Sequence, residues 1–251
     1  EYLAAFGEPF HVVRYCGTEL LTAADFAFQH PYVSRIFLKR SVFDGLKYRD
    51  LKVTTGFAYE DWDFNCRIFA ADFDFRVATD TVLFYRQRGN SLLKQANAMS
   101  SRIVPHSELF EPHRFLELMH AAKKRVGDWS SFLHERSHYF ARSFPQELMG
   151  SERLLTYVAE ACDLDPEVEP TRLESATSYC PIPWNPTHWG FQLERFYGIL
   201  GRERFTDVVL LPWLKPGGAE KYILQILHEV CASEKDVRFL VLTGEAANKH
   251  E

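Results

Sequence analysis

Two adjacent carboxylates, Glu60 and Asp61, are the residues of this sequence best placed to do chemistry. The apolar residues that follow recur at i, i+4, i+7 and i+11, the spacing of one helix face: Trp62, Cys66, Phe69 and Phe73. The carboxylates therefore stand at a predicted helix N-terminus, where the helix dipole favours an anion. We interpret Asp61 as a general base that accepts a proton near neutral pH, with Glu60 in a supporting role.

The same position allows a second interpretation, in which Glu60 and Asp61 only cap the helix. Acidic residues are common in a first helical turn, where each stabilises the helix by roughly 0.3–1 kcal/mol. The spacing alone does not separate a cap from a catalytic base.

Two further sites have residue types that suit phosphate. Arg86 and Arg88 follow a predicted strand, and their planar guanidinium groups match phosphate oxygens, although a solvated basic turn is an equal alternative. Gly217 and Gly218 stand between a predicted strand and a predicted helix. Small residues there let a ligand approach the backbone, and helix N-termini attract phosphate, but Gly-Gly is also an ordinary connector.

The elements that position Asp61 are predicted from periodicity and from Gly and Pro. Before Asp61 we predict a short helix over residues 22–29, a strand over 34–39 and one helical turn over 41–45. After it, residues 75–86 are strand-like, but their apolar phase switches, which predicts a bulge or turn at Thr79 and Asp80. Residues 91–102 could be helical.

The rest of the chain divides into a helical stretch and a βαβ unit. Helices are predicted over residues 112–125, 129–142 and 146–162, and proline-rich loops over 165–170 and 181–186. Apolar runs at 205–211 and 237–242 flank a helix from residue 221 to about 233, as in a βαβ unit with buried parallel strands. One helix cannot cover both faces of such a sheet, so we expect this unit to pack against the helical stretch or another chain.

Composition narrows the class of protein. The 251 residues are 46% hydrophobic and carry a net charge of −5, which predicts a folded chain and argues against broad nucleic-acid binding. Five scattered cysteines fit free thiols in a reducing compartment, and the ten histidines show no ligand spacing and are interpreted as surface residues. No apolar run approaches a membrane span, and no signal peptide opens the chain. Because it starts without Met and ends in a polar stretch, we expect a piece of a longer polypeptide.

The order of motifs around Asp61 resembles the C-terminal half of a family 2 glycosyltransferase. The resemblance covers residues 31–94 and depends on YEDWDF at 59–64, Arg67, FRV at 75–77, FYR at 84–86 and GNS at 89–91. It implies that Asp61 is the catalytic base, that Glu60 supports it, and that the substrate is contacted by Trp62, Asp63, Arg86, Arg88 and Ser91. Many relatives have histidine where this chain has Arg88, which puts metal contact through that loop in doubt.

The segment PWLKPGGAEK at 212–221 resembles the start of a family 4 glycosyltransferase, which implies that Gly217 and Gly218 lie near donor or acceptor. Together the resemblances imply an α/β chain in three parts. Residues 1–104 would be the acceptor-side half of a GT-A domain, 105–203 a helical linker, and 204–251 the opening Rossmann-like βαβ unit of a GT-B domain.

The resemblance also implies ligands, partners and a location. They are a nucleotide-sugar donor, a glycan acceptor, the remainder of the same polypeptide and a cytoplasmic site, with possible peripheral association at the inner face of the membrane. A divalent metal, Mn²⁺ or Mg²⁺, is expected in the complete enzyme, held by a DxD motif that precedes residue 1. Asp61-Trp62-Asp63 and Asp72-Phe73-Asp74 match its letters but lie in or after the acceptor-side helix. The isolated chain is expected to be inactive.

Two other functions stay open. The chain could be a non-catalytic binding or scaffold module of a glycan-assembly protein, in which the acidic motif persists only as a cap. A nucleotide-binding dehydrogenase is a weaker alternative, because Gly217 and Gly218 are not part of a GxGxxG motif.

Overall fold

The structure is a computed structural model, and the protein is mixed α/β, with more helix than strand. The structure describes residues 1–27, 29–32, 36–49, 57–88, 102–103, 106–182, 184–201, 203–211, 213, 217–233 and 236–244. The strands are β1 Tyr2–Phe6, β2 His11–Arg14, β3 Phe57–Ala58, β4 Val82–Arg86, β5 Arg102–Ile103, β6 Thr177–Tyr179, β7 Asp207–Leu211 and β8 Phe239–Thr243. The helices are α1 Ala23–Phe26, α2 Val42–Gly45, α3 Glu60–Ala70, α4 Pro112–Val126, α5 Trp129–Phe140, α6 Phe144–Gly150, α7 Glu152–Leu164, α8 Pro170–Glu174, α9 Trp184–Leu200 and α10 Gly218–Ser233, with 3₁₀ turns at Thr18–Leu20 and Glu108–Phe110.

The largest sheet has four strands in the order β4-β1-β2-β6. Strands β1 and β2 form an antiparallel hairpin, while β4 pairs parallel to β1 and β6 parallel to β2. Every residue of β1 is buried, as expected for a central strand that reads Tyr-Leu-Ala-Ala-Phe. The sheet therefore joins the start of the chain to residues 177–179, which lie between helices α8 and α9.

The largest hydrophobic cluster connects the acidic motif to the helical stretch. It brings together Phe26 of α1, Phe69 of α3, Phe115 and Met119 of α4, and Phe132 of α5. Arg114 of α4 also donates from Nε and Nη2 to the Ala70 carbonyl at 2.9 and 2.6 Å, and so caps the C-terminus of α3. The helices that looked like a spacer in the sequence thus hold α3 in place.

A buried ion pair lies beside this cluster. Arg136 of α5 donates to both oxygens of Asp25 at 2.9 and 3.0 Å, and Thr187 of α9 donates to Oδ1 at 2.8 Å. The Thr22 backbone N–H and hydroxyl donate to Oδ2 at 2.8 and 3.0 Å. The carboxylate is fully hydrogen-bonded, which is the condition under which a buried charge is tolerated.

The chain divides into compact units at one place, between Ile199 and Leu200. This lies close to the predicted boundary at residues 203/204. The division predicted at 104/105 does not separate two compact units, because residues on both sides of it share the core cluster around Phe26 and Phe115.

Several predicted elements differ from the structure in their bounds. Residues 36–39 alternate in exposure, with Phe37 fully exposed, but they form no strand, so this part of the strand predicted over 34–39 is wrong. The strand predicted over 75–86 is reduced to β4, because the chain turns at Thr79 and Asp80, where Asp80 has a φ of 54°. The turn itself is confirmed. Residues 91–101 lie outside the described part of the chain.

Helix boundaries are confirmed where the sequence contains clear caps. Gly127 is the C-cap of α4 and Asp128 is the N-cap of α5, so the break between these helices lies where it was predicted. The single helix predicted over 146–162 is two helices, because Ser151 interrupts it and accepts a hydrogen bond from the Leu154 N–H as the N-cap of α7. The loop predicted over 181–186 ends early, since α9 begins at Trp184.

The second unit, residues 200–251, contains the predicted βαβ arrangement. Strands β7 and β8 pair parallel, and α10 lies between them in the sequence. Leu211 is buried, but Val208 is 56% and Leu210 is 73% exposed. The prediction that β7 is a buried strand is thus wrong for Val208 and Leu210, and the packing of this unit against the helical stretch or another chain stays a prediction.

Candidate active site

Asp61 lies in the first turn of α3, as the sequence predicts. Tyr59 is the N-cap residue, and its side chain makes no capping hydrogen bond. The Oδ1 atom of Asp61 instead accepts from the Trp62 backbone N–H at 2.8 Å, which satisfies one of the free donors of the first turn. Asp61 therefore does part of the work of a cap, and its side chain is still 23% exposed. Its neighbour Glu60 is exposed.

The second oxygen of Asp61 faces His30, which sequence analysis missed. His30 Nδ1 lies 3.8 Å from Asp61 Oδ2, and His30 Nε2 lies 2.7 Å from Asn65 Nδ2. The imidazole stacks on the Trp62 indole, with ring centroids 6.1 Å apart and planes 9° from parallel. Burial lowers the pKa of His30 to about 3 and outweighs the nearby carboxylate, so the ring is neutral at physiological pH. The interpretation of all ten histidines as surface residues is wrong for His30.

Trp62, which stacks on the His30 ring, makes further contacts with the protein. The Trp62 indole N–H donates to the Phe26 carbonyl at 3.1 Å, and the Tyr59 and Trp62 rings meet edge to face with centroids 6.0 Å apart. Trp62 packs against the main core cluster. The contact that the structure describes is the stacking of Trp62 on the His30 ring, which supports that ring. Contact between Trp62 and a substrate stays a prediction.

Asp63 points away from Asp61 and into the protein. Its side chain has no exposed surface, and Arg49 Nη1 and Arg67 Nη1 lie 3.6 and 4.0 Å from its two oxygens. Neither oxygen has a hydrogen-bond partner among the described residues. Burial raises the pKa of this carboxyl group, against the two guanidinium groups. Asp63 therefore lies between Arg67 of α3 and Arg49, and a substrate contact by its carboxylate stays a prediction.

Arg86 is already paired with carboxylates. Its guanidinium forms an ion pair with Asp165 and another with Glu167, the latter at 2.6 Å, and lies 5.2 Å above the Phe6 ring. Among the described residues, Asp61 pairs with neither of these carboxylates. The structure therefore does not group Arg86 with Asp61, His30 and Asn65.

The other predicted site residues have few described contacts. Arg88 is exposed, and Ser91 lies outside the described residues. Gly217 and Gly218 belong to the second unit, where both are exposed and Gly218 is the first residue of α10. Their contact with donor or acceptor stays a prediction.

The two DxD sequences do not present paired carboxylates for a metal. In the first, Asp61 faces His30 while Asp63 faces Arg49 and Arg67. In the second, Asp72 pairs with Arg114 at 2.6 Å, and Asp74 accepts from the Thr18 hydroxyl at 3.3 Å. No group of three His, Cys, Asp or Glu residues in the described part of the chain could hold a metal ion. None of the described helices has both the length and the apolar character needed to cross a membrane.

One signal in the sequence could have located part of this site. Asp61 and Asn65 are four residues apart on a predicted helix, which places them on the same face. No sequence spacing predicts that His30 lies beside Asp61, because the two residues are far apart in the chain and only its folding brings them together.

Comparison of the chain with protein-family models, with curated proteins and with solved structures found no match. The likeness to glycosyltransferases therefore depends on the motif residues themselves.

Proposed function

We propose that this chain is the acceptor-side part of a glycosyltransferase, in which Asp61 is the general base. Two things support the proposal: the order of motifs from YEDWDF at 59–64 to GNS at 89–91, and the geometry of Asp61. The geometry carries more weight. A partly exposed carboxylate is held at a helix N-terminus by the Trp62 N–H, beside a neutral imidazole.

The proposed reaction is transfer of a sugar from a nucleotide sugar to a glycan hydroxyl with inversion. The hydroxyl proton passes to an oxygen of Asp61, and the hydroxyl oxygen forms a bond to the anomeric carbon. The bond from that carbon to the diphosphate breaks, and the nucleoside diphosphate leaves with its electron pair. The exposed Glu60 supports Asp61 or contacts the acceptor.

Other parts of the proposal concern the complete enzyme. A divalent metal, Mn²⁺ or Mg²⁺, would assist departure of the diphosphate, but the described residues include no group that fits it, so no step is assigned to it. The GT-A and GT-B assignments of residues 1–104 and 204–251 belong to this proposal. A surface polysaccharide as product and a cytoplasmic location also belong to this proposal, and the inner face of the membrane is one option for that location.

A transfer assay tests the activity. The intact polypeptide containing this chain is incubated with UDP- and GDP-sugars, Mn²⁺ and glycan acceptors, and release of nucleoside diphosphate is measured. We expect release that depends on the acceptor. Absence of release with every donor, from a correctly folded protein, would contradict the enzyme proposal.

A second candidate is a non-catalytic scaffold module. It is favoured by two observations: Asp61 accepts the Trp62 N–H as a cap does, and the charge of Arg86 is neutralised by Asp165 and Glu167.

Titration calorimetry of the 251-residue chain with nucleotide sugars tests whether the chain contains a donor site. We expect very weak binding, because neither DxD sequence of this chain presents paired carboxylates for the metal of a donor site. Micromolar binding would show that the donor site lies within this chain.

A further inference from the structure

The contacts of His30 point to one tautomer of its ring. Nε2 is 2.7 Å from the Asn65 amide nitrogen, and a neutral Nε2 can accept a hydrogen bond from that amide only if the ring proton is on Nδ1. Asn65 is 1% exposed, so this contact is shielded from water. Asn65 is on the same face of α3 as Asp61, one turn later.

The other side of the ring gives the same answer. Nδ1 faces Asp61 Oδ2 at 3.8 Å. With the proton on Nδ1, an N–H dipole points at the carboxylate, which is favourable. With the proton on Nε2, a nitrogen lone pair would face the carboxylate, and the Asn65 amide would have to turn its oxygen towards the ring. The Asp61 carboxylate therefore favours the Nδ1–H form, and the orientation of the Asn65 amide in the structure agrees with it.

We propose that His30 is a positioning residue for Asp61: Asn65 fixes the imidazole as the Nδ1–H tautomer, and this N–H holds the Oδ2 side of the Asp61 carboxylate. The inference deepens the proposed function and depends on it for its catalytic meaning. The distance of 3.8 Å is longer than a hydrogen bond, and contacts of catalytic groups commonly tighten when substrate binds. The Trp62 N–H already fixes the Oδ1 side, so the two donors together set the orientation of the base.

A merely structural role makes a different prediction. His30 also stacks on Trp62 and contacts Asn65, and it could act only as core packing. Two variants separate the roles. An Asn side chain can place its amide nitrogen near the position of Nδ1, and a Gln side chain reaches the position of Nε2, where its amide oxygen can accept from the Asn65 amide. His30→Asn keeps a donor towards Asp61, and His30→Gln keeps only the contact with Asn65.

The first measurement needs no activity. Long-range ¹H–¹⁵N correlation on the 251-residue chain near pH 7.5 reports which ring nitrogen carries the proton, and the signal of His30 is identified by its loss in His30→Asn. We expect the proton on Nδ1. A proton on Nε2, or an equal mixture of tautomers, would overturn the proposal.

The second measurement is turnover of the intact transferase, with the melting temperature of each variant as control. We expect His30→Asn to stay within a few-fold of the wild type and His30→Gln to lose turnover by on the order of 10–100-fold, the effect of a misplaced catalytic group. The reverse order, equal losses, or two fully active variants would each overturn the proposal. A wild-type protein without transfer activity would refute the proposed function instead, and the tautomer measurement would still decide whether His30 donates to Asp61.

Discussion

At the scale of single residues, Asp25 is a charged side chain in the core of the protein. It is 1% exposed, and its partner Arg136 is 4% exposed. Hydrogen bonds from Thr22, Arg136 and Thr187 neutralise and fix the carboxylate, so the pair is tolerated in the core. Losing one partner leaves the other as a buried, unpaired charge.

We therefore expect Asp25→Asn to lower the free energy of unfolding by about 3 kcal/mol, the effect of breaking a buried ion pair from one side. Denaturant unfolding followed by circular dichroism measures it. The control is Asp44→Asn at an exposed position of α2, which we expect to change stability by less than about 0.5 kcal/mol. Similar stability in both variants would contradict a structural role for the ion pair.

His30 gives the protein a pH dependence with a definite sign. Its pKa is about 3 in the folded protein and 6.5 when unperturbed, so between these values the unfolded chain binds a proton that the folded chain does not. The stability that the neutral His30 ring contributes is fully present well above pH 6.5, and it is lost as the pH falls from there towards 3. From about pH 7.5 to about pH 5.5, we expect the wild type to lose about 1.4 kcal/mol more than His30→Asn, which lacks the titrating ring.

Comparing the two proteins cancels the titration of every other group. Parallel pH curves would contradict a buried neutral imidazole. A wild type that gains stability relative to His30→Asn at low pH would indicate that His30 is charged and forms an ion pair with Asp61.

The sequence shows Asp61 but not its surroundings. The position of Asp61 at the start of a helix follows from local periodicity, which a single sequence contains. The burial of His30 does not, because it depends on packing against Trp62 and Asn65, which are more than 30 residues away in the chain. A histidine is compatible with surface and core alike.

At the scale of secondary structure, α9 packs closely on the helix that precedes His30. Gly190 of α9 is buried against α1, and a Cβ atom there would lie 2.6 Å from the Ala24 Cα atom. Only glycine permits this approach, which also brings Thr187 to Asp25. At Gly198, eight residues further along the same helix, an added Cβ atom would meet none of the described residues within 4 Å.

We expect Gly190→Ala to destabilise the protein by about 1–3 kcal/mol, because the backbone of Ala24 cannot move aside easily. Gly198→Ala, in the same helix, should stabilise it by about 0.5 kcal/mol through helix propensity alone. Thermal or denaturant unfolding of both variants is the measurement. A stabilising effect at both positions would show that α9 does not pack closely on α1.

The sequence predicts helix boundaries where it contains capping residues, but its prolines predict a loop where the structure has the start of a helix. Gly127 and Asp128 end one helix and start the next, and the structure places the break there. The prolines near residue 181 predict a loop, but α9 starts at Trp184, with Pro186 in its first turn. A proline there lacks only an N–H that has no partner within the helix anyway.

At the scale of the whole molecule, the chain consists of two compact units, and the hydrophobic clusters around Phe26 and Tyr2 lie within residues 1–199. The sequence suggests three parts because strands give way to helices near residue 104. A change in secondary structure is not a domain boundary when both sides contribute to one core. The boundary near residue 200 was predictable because a new apolar strand pattern starts there.

We expect a chain of residues 1–203 to fold without the second unit. Its main melting transition should lie within a few degrees of that of the 251-residue chain, because the core clusters are retained. Differential scanning calorimetry and near-UV circular dichroism measure this. A truncated chain without cooperative unfolding would contradict the independence of the first unit.

Asp61→Asn separates a general base at this position from a residue that only caps the helix. Asn preserves the shape and can still accept the Trp62 N–H, so the melting temperature should be nearly unchanged. The basic oxygen is lost, and turnover in the proposed transfer assay should fall by about 10²–10⁴-fold or more at unchanged donor affinity. Glu60→Gln, at the exposed neighbouring position, should be milder. Near-normal turnover in a folded Asp61→Asn protein would contradict the account.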